Sequence, residues 1–503
     1  MSVGDATTEE YVSLQLRWGP RGLQRSLTGC PVVQRPSVVV RRGGFIAHCC
    51  SCVRYGAPSI DPTRGGDVAC AAERRFFSRT ASLGIWFGPL HQIRECILLN
   101  TPFPPWPSSA EDEVSAVARV LRSNQVSYWT GTEGRELEAE FARWVGVPHA
   151  VALNNGTIAL EAALKALGIR PGDEVIVTPR SFIASASCVV SVGAVPVFAD
   201  VDYESQNLSA ETIAAVLSPR TRAVIPVHLA GMPCDMDSIL ELAQAHGLAV
   251  VEDCAQAHGA RYKGRSVGSM GDVGAWSFCQ DKIMTTGGEG GMVTTRDDEL
   301  WSKMWSYKDH GKSWSAVYTR DHKPGYRWLH DSFGTNGRML EVQAAIGRIQ
   351  LQRMAQWTRA RRANADRVWS VARDLAGLRV PTIPAWAEHA AYKAYVFVEP
   401  AALKAGWDRD RIMAAVNDRG VPCYSGSCSE VYLERAFEGT NWRPAEPLPV
   451  ARKLGETSLM FLVHPTLESQ HIDKTCEVLK DVMQHAVVRS SRSDDRARGG
   501  RLG

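Results

Sequence analysis

The 503-residue sequence lacks several features that would fix its class at once. No apolar run reaches the roughly 18 residues that a bilayer-spanning helix needs, so no membrane association is expected. Neither sign of charge dominates. With 57 Lys and Arg against 54 Asp and Glu, the net charge of +3 is too small for a nucleic-acid-binding surface. No basic segment, apolar core and cleavage site stand in order at the start, so a cytoplasmic location is expected. No GxGxxG follows the first strand-like run, which argues against a nicotinamide enzyme. Cysteine is not scarce, at 13 residues, yet a large chain with no secretory signal keeps such thiols reduced. The "HCCSC" cluster, His48–Cys52, has no second, spaced ligand pair, so no metal is expected.

What is there reads as two unlike parts. Residues 1–100 carry many arginines, six of the cysteines and short apolar fragments such as "PSVVV" and "GIWF". No helical or strand period lasts in them. They are expected to be a disordered extension or the product of a start codon assigned too early. From "TPFPPW", Thr101–Trp106, the pattern changes. "SAEDEVSAVARVLRSN" has a Ser cap, early acids and helical apolar spacing. "AVALNNGTIALEAALKALG" reads strand, turn, helix, and "DEVIVTPRSFIASASCVV" repeats that order. "AVPVFADVD", "TRAVIPVHLAG" and "LAVVEDCAQAHG" are further strands ending in polar residues. This alternation predicts an α/β fold with a mostly parallel sheet covered on both faces. Ligands bind such sheets beyond the carboxyl ends of the strands, so the polar residues there are the ones to weigh.

Gly156 and Thr157 open a helix after the first of these strands. Free N–H groups and the helix dipole make such a turn a phosphate site, although Gly-Thr is also a common plain cap. Phe182 follows the next strand, placed to stack on a flat ring or simply to fill core. Asp253 ends "VVED", where a buried acid needs a partner; a protonated ring nitrogen would supply one, and capping the next turn is the other use. Gln256 stands three residues on and reaches the same region. In "WSFCQDKIMTTGGEGGM", Ser277 ends a strand-like run and Lys282 precedes a glycine cluster that lets the backbone approach closely. An amine flanked by apolar residues can attack a carbonyl. Phosphate cradle, stacking aromatic, ring-nitrogen acid and imine-forming lysine together suit one ligand, pyridoxal 5'-phosphate.

These motifs, with "FGTNGRMLEVQAAIGRIQL" and "SLMFLVHPTL", resemble the DegT/DnrJ/EryC1/StrS family of pyridoxal-phosphate sugar aminotransferases from about Thr101 to about His485. The resemblance implies a fold-type-I transferase. A large cofactor domain would cover 101–370, a smaller α/β domain 371–487 and a disordered basic tail 488–503. It implies catalytic roles for Lys282 and Asp253. It implies cofactor contacts from Gly156, Thr157, Phe182, Asp253, Gln256, Ser277 and Lys282. Asn336 would reach the phosphate of the neighbouring subunit, making the active unit a homodimer. "SYWTGTEG", Ser127–Gly134, resembles the loop near the sugar nucleotide, and Arg338, Lys308 and Lys312 are candidates for the same mouth. Gly337, Cys279 and Gln280 depart from the residues common at their positions.

The implied reaction moves an amino group from glutamate to a nucleotide-linked keto-deoxysugar. The 4-keto sugar is favoured over the 3-keto, in polysaccharide or secondary-metabolite sugar biosynthesis. Rival readings are an aminocyclitol or aminohydroxybenzoate-type synthase, a dehydratase and a non-catalytic cofactor-binding regulator. A lysine rather than a histidine at position 282 disfavours the dehydratase, and the complete residue set disfavours the regulator.

Overall fold

The computed structural model describes residues 102–321, 325 and 327–488. The expected extension over 1–100, the His48–Cys52 cluster and nearly all of the expected tail lie outside these residues.

Two helices lead into the first sheet: α1 (Glu111–Ser123) and α2 (Glu133–Val145). The buried residues of α1, Glu113, Ala116 and Val120, recur at helical spacing and form one face. Its cap is Ala110 rather than the expected serine. The Ala110 amide donates to the Glu113 carboxylate at 2.6 Å, so an acid one turn in satisfies the helix start.

Strands and helices then alternate: β1 (His149–Leu153), α3 (Gly156–Ala166), β2 (Glu174–Val177), α4 (Ala184–Ser191), β3 (Val195–Phe198) and β4 (Thr221–Ile225). After them come α5 (Met236–His246), β5 (Ala249–Asp253), β6 (Val273–Ser277), β7 (Gly291–Thr295) and α6 (Asp298–Lys308). The sheet order is β1-β7-β6-β5-β4-β2-β3. Only β7 runs against the others, pairing antiparallel with β1 and β6. All residues of β2, β6 and β7 are buried, as a sheet covered on both faces requires. Because six strands share a direction, the ends of β1, β5 and β6 open toward one side. Leu153, Asp253 and Ser277 end there.

The long α7 (Glu341–Arg373) runs through the expected division at residue 370. Near its start Ala345 packs on Ala116 and Val120. Near its end Val368, Trp369 and Ala372 join a second core with Val396, Leu459 and Phe461. That core lies on a four-stranded antiparallel sheet of β8 (Leu378–Arg379), β9 (Ala394–Val398), β10 (Cys423–Tyr424) and β11 (Ser458–Phe461), in the order β8-β9-β11-β10. Helix α8 (Ser469–Ala486) covers it with Ile472, Leu479 and Val482. Each such aliphatic side chain contributes about 1.5–3 kcal/mol when fully buried. The two sheets meet where the Ser181 amide donates to the Cys428 carbonyl at 3.0 Å. Among the described residues, no helix is long and apolar enough to cross a membrane.

Candidate active site

At the carboxyl ends of β1, β5 and β6 lies a cavity of about 1120 Å³, bordered by the second sheet. Of the sequence candidates, Gly156, Thr157, Phe182, Asp253, Gln256, Ser277 and Lys282 all line it. Residues spread over more than a hundred positions thus meet because parallel strands end together.

The start of α3 forms one wall. The first N–H groups of a helix have no partner inside it. Here the Asn155 side chain accepts from the Ile158 amide at 2.9 Å, and the Asn155 carbonyl accepts from the Ala159 amide at 3.2 Å. Among the described residues, the Gly156 and Thr157 amides are left for an anion. Gly156 must be glycine at this wall. A Cβ there would stand 2.6 Å from the Ser277 Cβ.

Asp253 forms the floor. Its side chain accepts from the Ser185 hydroxyl at 2.8 Å and from the Ala255 amide at 3.1 Å. Burial raises its pKa above the ordinary carboxylate value, while the Ala255 and Ser185 hydrogen bonds and the charge of Lys282 pull the other way. The preceding Glu252 points into the opposite layer. It accepts from the amides of Gly268, Met270 and Gly271 at 2.7–2.8 Å and bonds His228 at 3.0 Å. Burial pushes its carboxyl up, but the hydrogen bond and charge of His228 and the amides outweigh that, and its pKa lies below the ordinary value. His228, Glu252 and Cys254 lie close enough to suggest a metal site. Their donors are committed, however. His228 Nδ1 accepts from the Cys234 amide at 3.0 Å, and burial keeps the Cys254 thiol protonated. This donor set does not fit a cation.

Lys282 enters from the loop after β6. Its ammonium lies 3.6 Å from Asp281 Oδ1 and 5.5 Å from the centre of the Tyr392 ring. Its carbonyl accepts from Trp106 Nε1 at 2.8 Å. The Tyr392 hydroxyl donates to the other Asp281 oxygen. Gln256 Oε1 accepts from the Ala230 amide at 2.9 Å, which fixes the side chain on the wall. Phe182 is 68% exposed and is therefore not core; its face is open to the cavity.

Other residues singled out in the sequence do not line this cavity in the same chain. Asn336 is exposed and lines no part of this cavity; its backbone pairs with Asp309. Lys308 is not at a mouth but fully buried, 2.7 Å from Glu138 and 3.8 Å from the Tyr128 ring centre. An ammonium amid aromatic rings and one acid has no reason to face solvent. Arg338 and Lys312 pair with Asp309, and the Ser127–Gly134 loop packs near the same acid through Trp129 Nε1 at 2.6 Å. None of these residues lines the cavity of the same chain.

Other cavity residues escaped sequence reasoning. Ser185 lies one helical turn from Ser181, and their hydroxyls are 3.0 Å apart. That spacing is a signal, but only β5 gives it meaning. Trp106, Tyr392, Lys393 and His464 reach the cavity from distant segments. Nothing local marks them.

The donor set was tested against pyridoxal phosphate. A buried carboxylate, an amine in reach of the same space, two unpaired helix amides and an exposed aromatic face fit an aromatic phosphate aldehyde. The comparisons agree. The profile of the DegT/DnrJ/EryC1/StrS aminotransferase family matches residues 107–480. The X-ray structure of the aminotransferase from Psychrobacter cryohalolentis is 60% identical, covers 76% of this chain and 99% of its own, and superposes with a TM-score of 0.75. GDP-perosamine synthase of Caulobacter vibrioides is 45% identical over 259 residues, 49% of this chain and 67% of that protein. A UDP-N-acetyl-3-dehydro-alpha-D-glucosamine 3-aminotransferase of Acidithiobacillus ferrooxidans is 37% identical over 372 residues, 73% and 93% of the two chains. The chain belongs to the DegT/DnrJ/EryC1/StrS family and is a pyridoxal-phosphate-dependent aminotransferase.

Proposed function

We propose that the enzyme takes the amino group of glutamate and delivers it to the keto carbon of a deoxyhexose linked to a nucleoside diphosphate, with the 4-keto sugar as first candidate. The observation that carries this reading is the meeting of Lys282, Asp253 and the open start of α3 in one cavity. Two relatives whose names specify UDP- and GDP-linked sugars support the acceptor class.

The Gly156 and Thr157 amides and the Ser277 hydroxyl would hold the phosphate. Phe182 would stack on the ring, and the Gln256 amide nitrogen would face a ring substituent. Lys282 Nζ would form the covalent link to the aldehyde. When bound, the cofactor supplies an electron sink for the pair released at the substrate carbon. Asp253 would hold the proton on the ring nitrogen, with the Ser185 hydroxyl donating to Asp253. Lys282 Nζ would serve as the base for the α-proton of glutamate and as the acid at the aminated sugar carbon. Asp281 steadies that ammonium from 3.6 Å. Trp106 and Tyr392 line the cavity beside it.

Residues 101–370 would form the cofactor domain and 371–487 the smaller one. Asn336 is exposed and lines no part of its own cavity, which fits a contribution to a second copy in a homodimer.

Mass spectrometry of products tests the reading. The holoenzyme is incubated with glutamate and a panel of 4-keto and 3-keto sugar nucleotides. An amino sugar nucleotide from the 4-keto substrate supports it. Amination of only the 3-keto substrate moves the position. Equal amination of a free cyclic ketone without any nucleotide favours the aminocyclitol class.

A further inference from the structure

One end of the cavity holds more positive charge than the protein balances. Lys393 lines it just before β9, and no hydrogen-bond acceptor or salt-bridge partner is found for its ammonium among the described residues. Its ammonium stands 4.7 Å from the centre of the Tyr392 ring. Arg361 is buried nearby, 4.8 Å from the Trp106 ring centre, donating Nη1 to the Tyr392 carbonyl at 3.3 Å, while Nε and Nη2 find no hydrogen-bond acceptor among the described residues. His464 lines the same end, stacked on Trp106 at 5.8 Å. Its Nδ1 bonds the Thr466 hydroxyl at 2.8 Å and its Nε2 is unpartnered. Lys282 adds a further cation. Asp281 is the carboxylate that bears on Lys393, and it is already engaged by Lys282 and the Tyr392 hydroxyl.

Buried cations without counter-charge are costly, and an anionic ligand offsets that cost. The environment shows the strain. Burial, with the charges of Arg361 and Lys282, lowers the Lys393 pKa to about 8 against the pull of Asp281. Burial, then Arg361 and Lys393, lowers His464 to about 3, which keeps its ring neutral.

Resting on the donor half of the proposed reaction, we propose that Lys393 and His464, backed by Arg361, form the subsite for a carboxylate of the amino donor. Lys393 shares the Tyr392 ring with Lys282, the residue that the donor nitrogen would displace, and this favours the donor over the diphosphate of the acceptor. The ammoniums of Lys282 and Lys393 both stand within 6 Å of the Tyr392 ring centre. The two amines therefore lie at most about 10 Å apart, so a glutamate whose nitrogen takes the place of Lys282 Nζ points a carboxylate along its extended chain toward Lys393. The diphosphate of a sugar nucleotide lies a whole hexose farther from the reacting atom.

The test uses the cofactor-loaded enzyme and reads each half-reaction separately by rapid-mixing absorbance. Hydrogen bonds to a charged group contribute about 1.5–3 kcal/mol, so Lys393→Gln raises the dissociation constant for glutamate by about 10-fold or more. Lys393→Arg keeps the charge and stays near the wild type. The KM for the sugar nucleotide changes little in either variant. Glutamine as donor separates the two carboxylates: equal weakening of both donors marks the α-carboxylate, and weakening of glutamate alone marks the side chain. Bound-cofactor absorbance in each variant verifies that the fold is intact. Unchanged glutamate affinity in Lys393→Gln overturns the subsite, as does weakening confined to the sugar nucleotide. If the wild type responds to another amino acid, glutamate falls as donor and the subsite is read on that amino acid. If it responds to none, both readings fall.

Discussion

The Ser185 hydroxyl donates to Asp253 Oδ2 across 2.8 Å, joining the start of α4 to the end of β5. Burial raises the Asp253 pKa and Ser185 is one of the groups that lower it. Ser185→Ala therefore raises it further. The acid limb of the activity profile should move to higher pH, and kcat should fall by about 10-fold, given roughly 1.5–3 kcal/mol for a hydrogen bond to a charged group. Ser185→Thr should retain most activity. A pH profile of the Ala variant that overlays the wild type would remove Ser185 from the account.

Gly156→Ala tests the phosphate wall. The added Cβ meets the Ser277 Cβ at 2.6 Å and its Cα at 3.1 Å, so backbone has to move. Overpacking of this kind costs about 1–3 kcal/mol, which predicts cofactor binding weaker by about 10-fold or more with the chain still folded. Fluorescence titration with pyridoxal phosphate measures it.

Much of this site was legible because parallel strands end together. A strand read from "VVED" or "VALNN" carries its terminal residues to one edge of the sheet whatever lies between. Lys282, Asp253, Ser277 and Gly156 needed only that rule. It could not tell Glu252 from Asp253 in role. Alternation along β5 sends one inward to His228 and the other to the cavity, and only the register decides which. Lys308 misled because a lysine beside polar residues reads as surface, whereas Tyr128 and Glu138, some 170 residues earlier, enclose it. Tyr392, Lys393 and His464 were invisible for the same reason: the second sheet brings them in, and no local pattern records that docking.

Glu252 should govern stability rather than turnover. Its pKa lies below the ordinary value of 4.5, so the folded state binds fewer protons there than the unfolded chain. The resulting stability is present above about pH 4.5 and is lost as pH falls through the folded value. Glu252→Gln leaves His228 and the three amides facing a neutral group and should cost about 3–5 kcal/mol at neutral pH. Chemical denaturation at pH 7 and pH 4 measures it; the difference between variant and wild type should shrink at the lower pH.

Asn336 offers a test of site sharing. Mixed dimers of a Lys282→Ala chain and an Asn336→Ala chain should recover activity, because one of the two shared sites keeps both residues. Absence of recovery in dimers verified as mixed would count against shared sites.

The central claim is that the Lys282 amine holds the cofactor aldehyde. Borohydride reduction of the holoenzyme fixes that link, and digestion with mass spectrometry locates it. The account predicts the cofactor mass on the peptide containing Lys282, with no tagged peptide from Lys282→Ala treated alike. A tag on another lysine, such as Lys393, or none on the wild type, would contradict it.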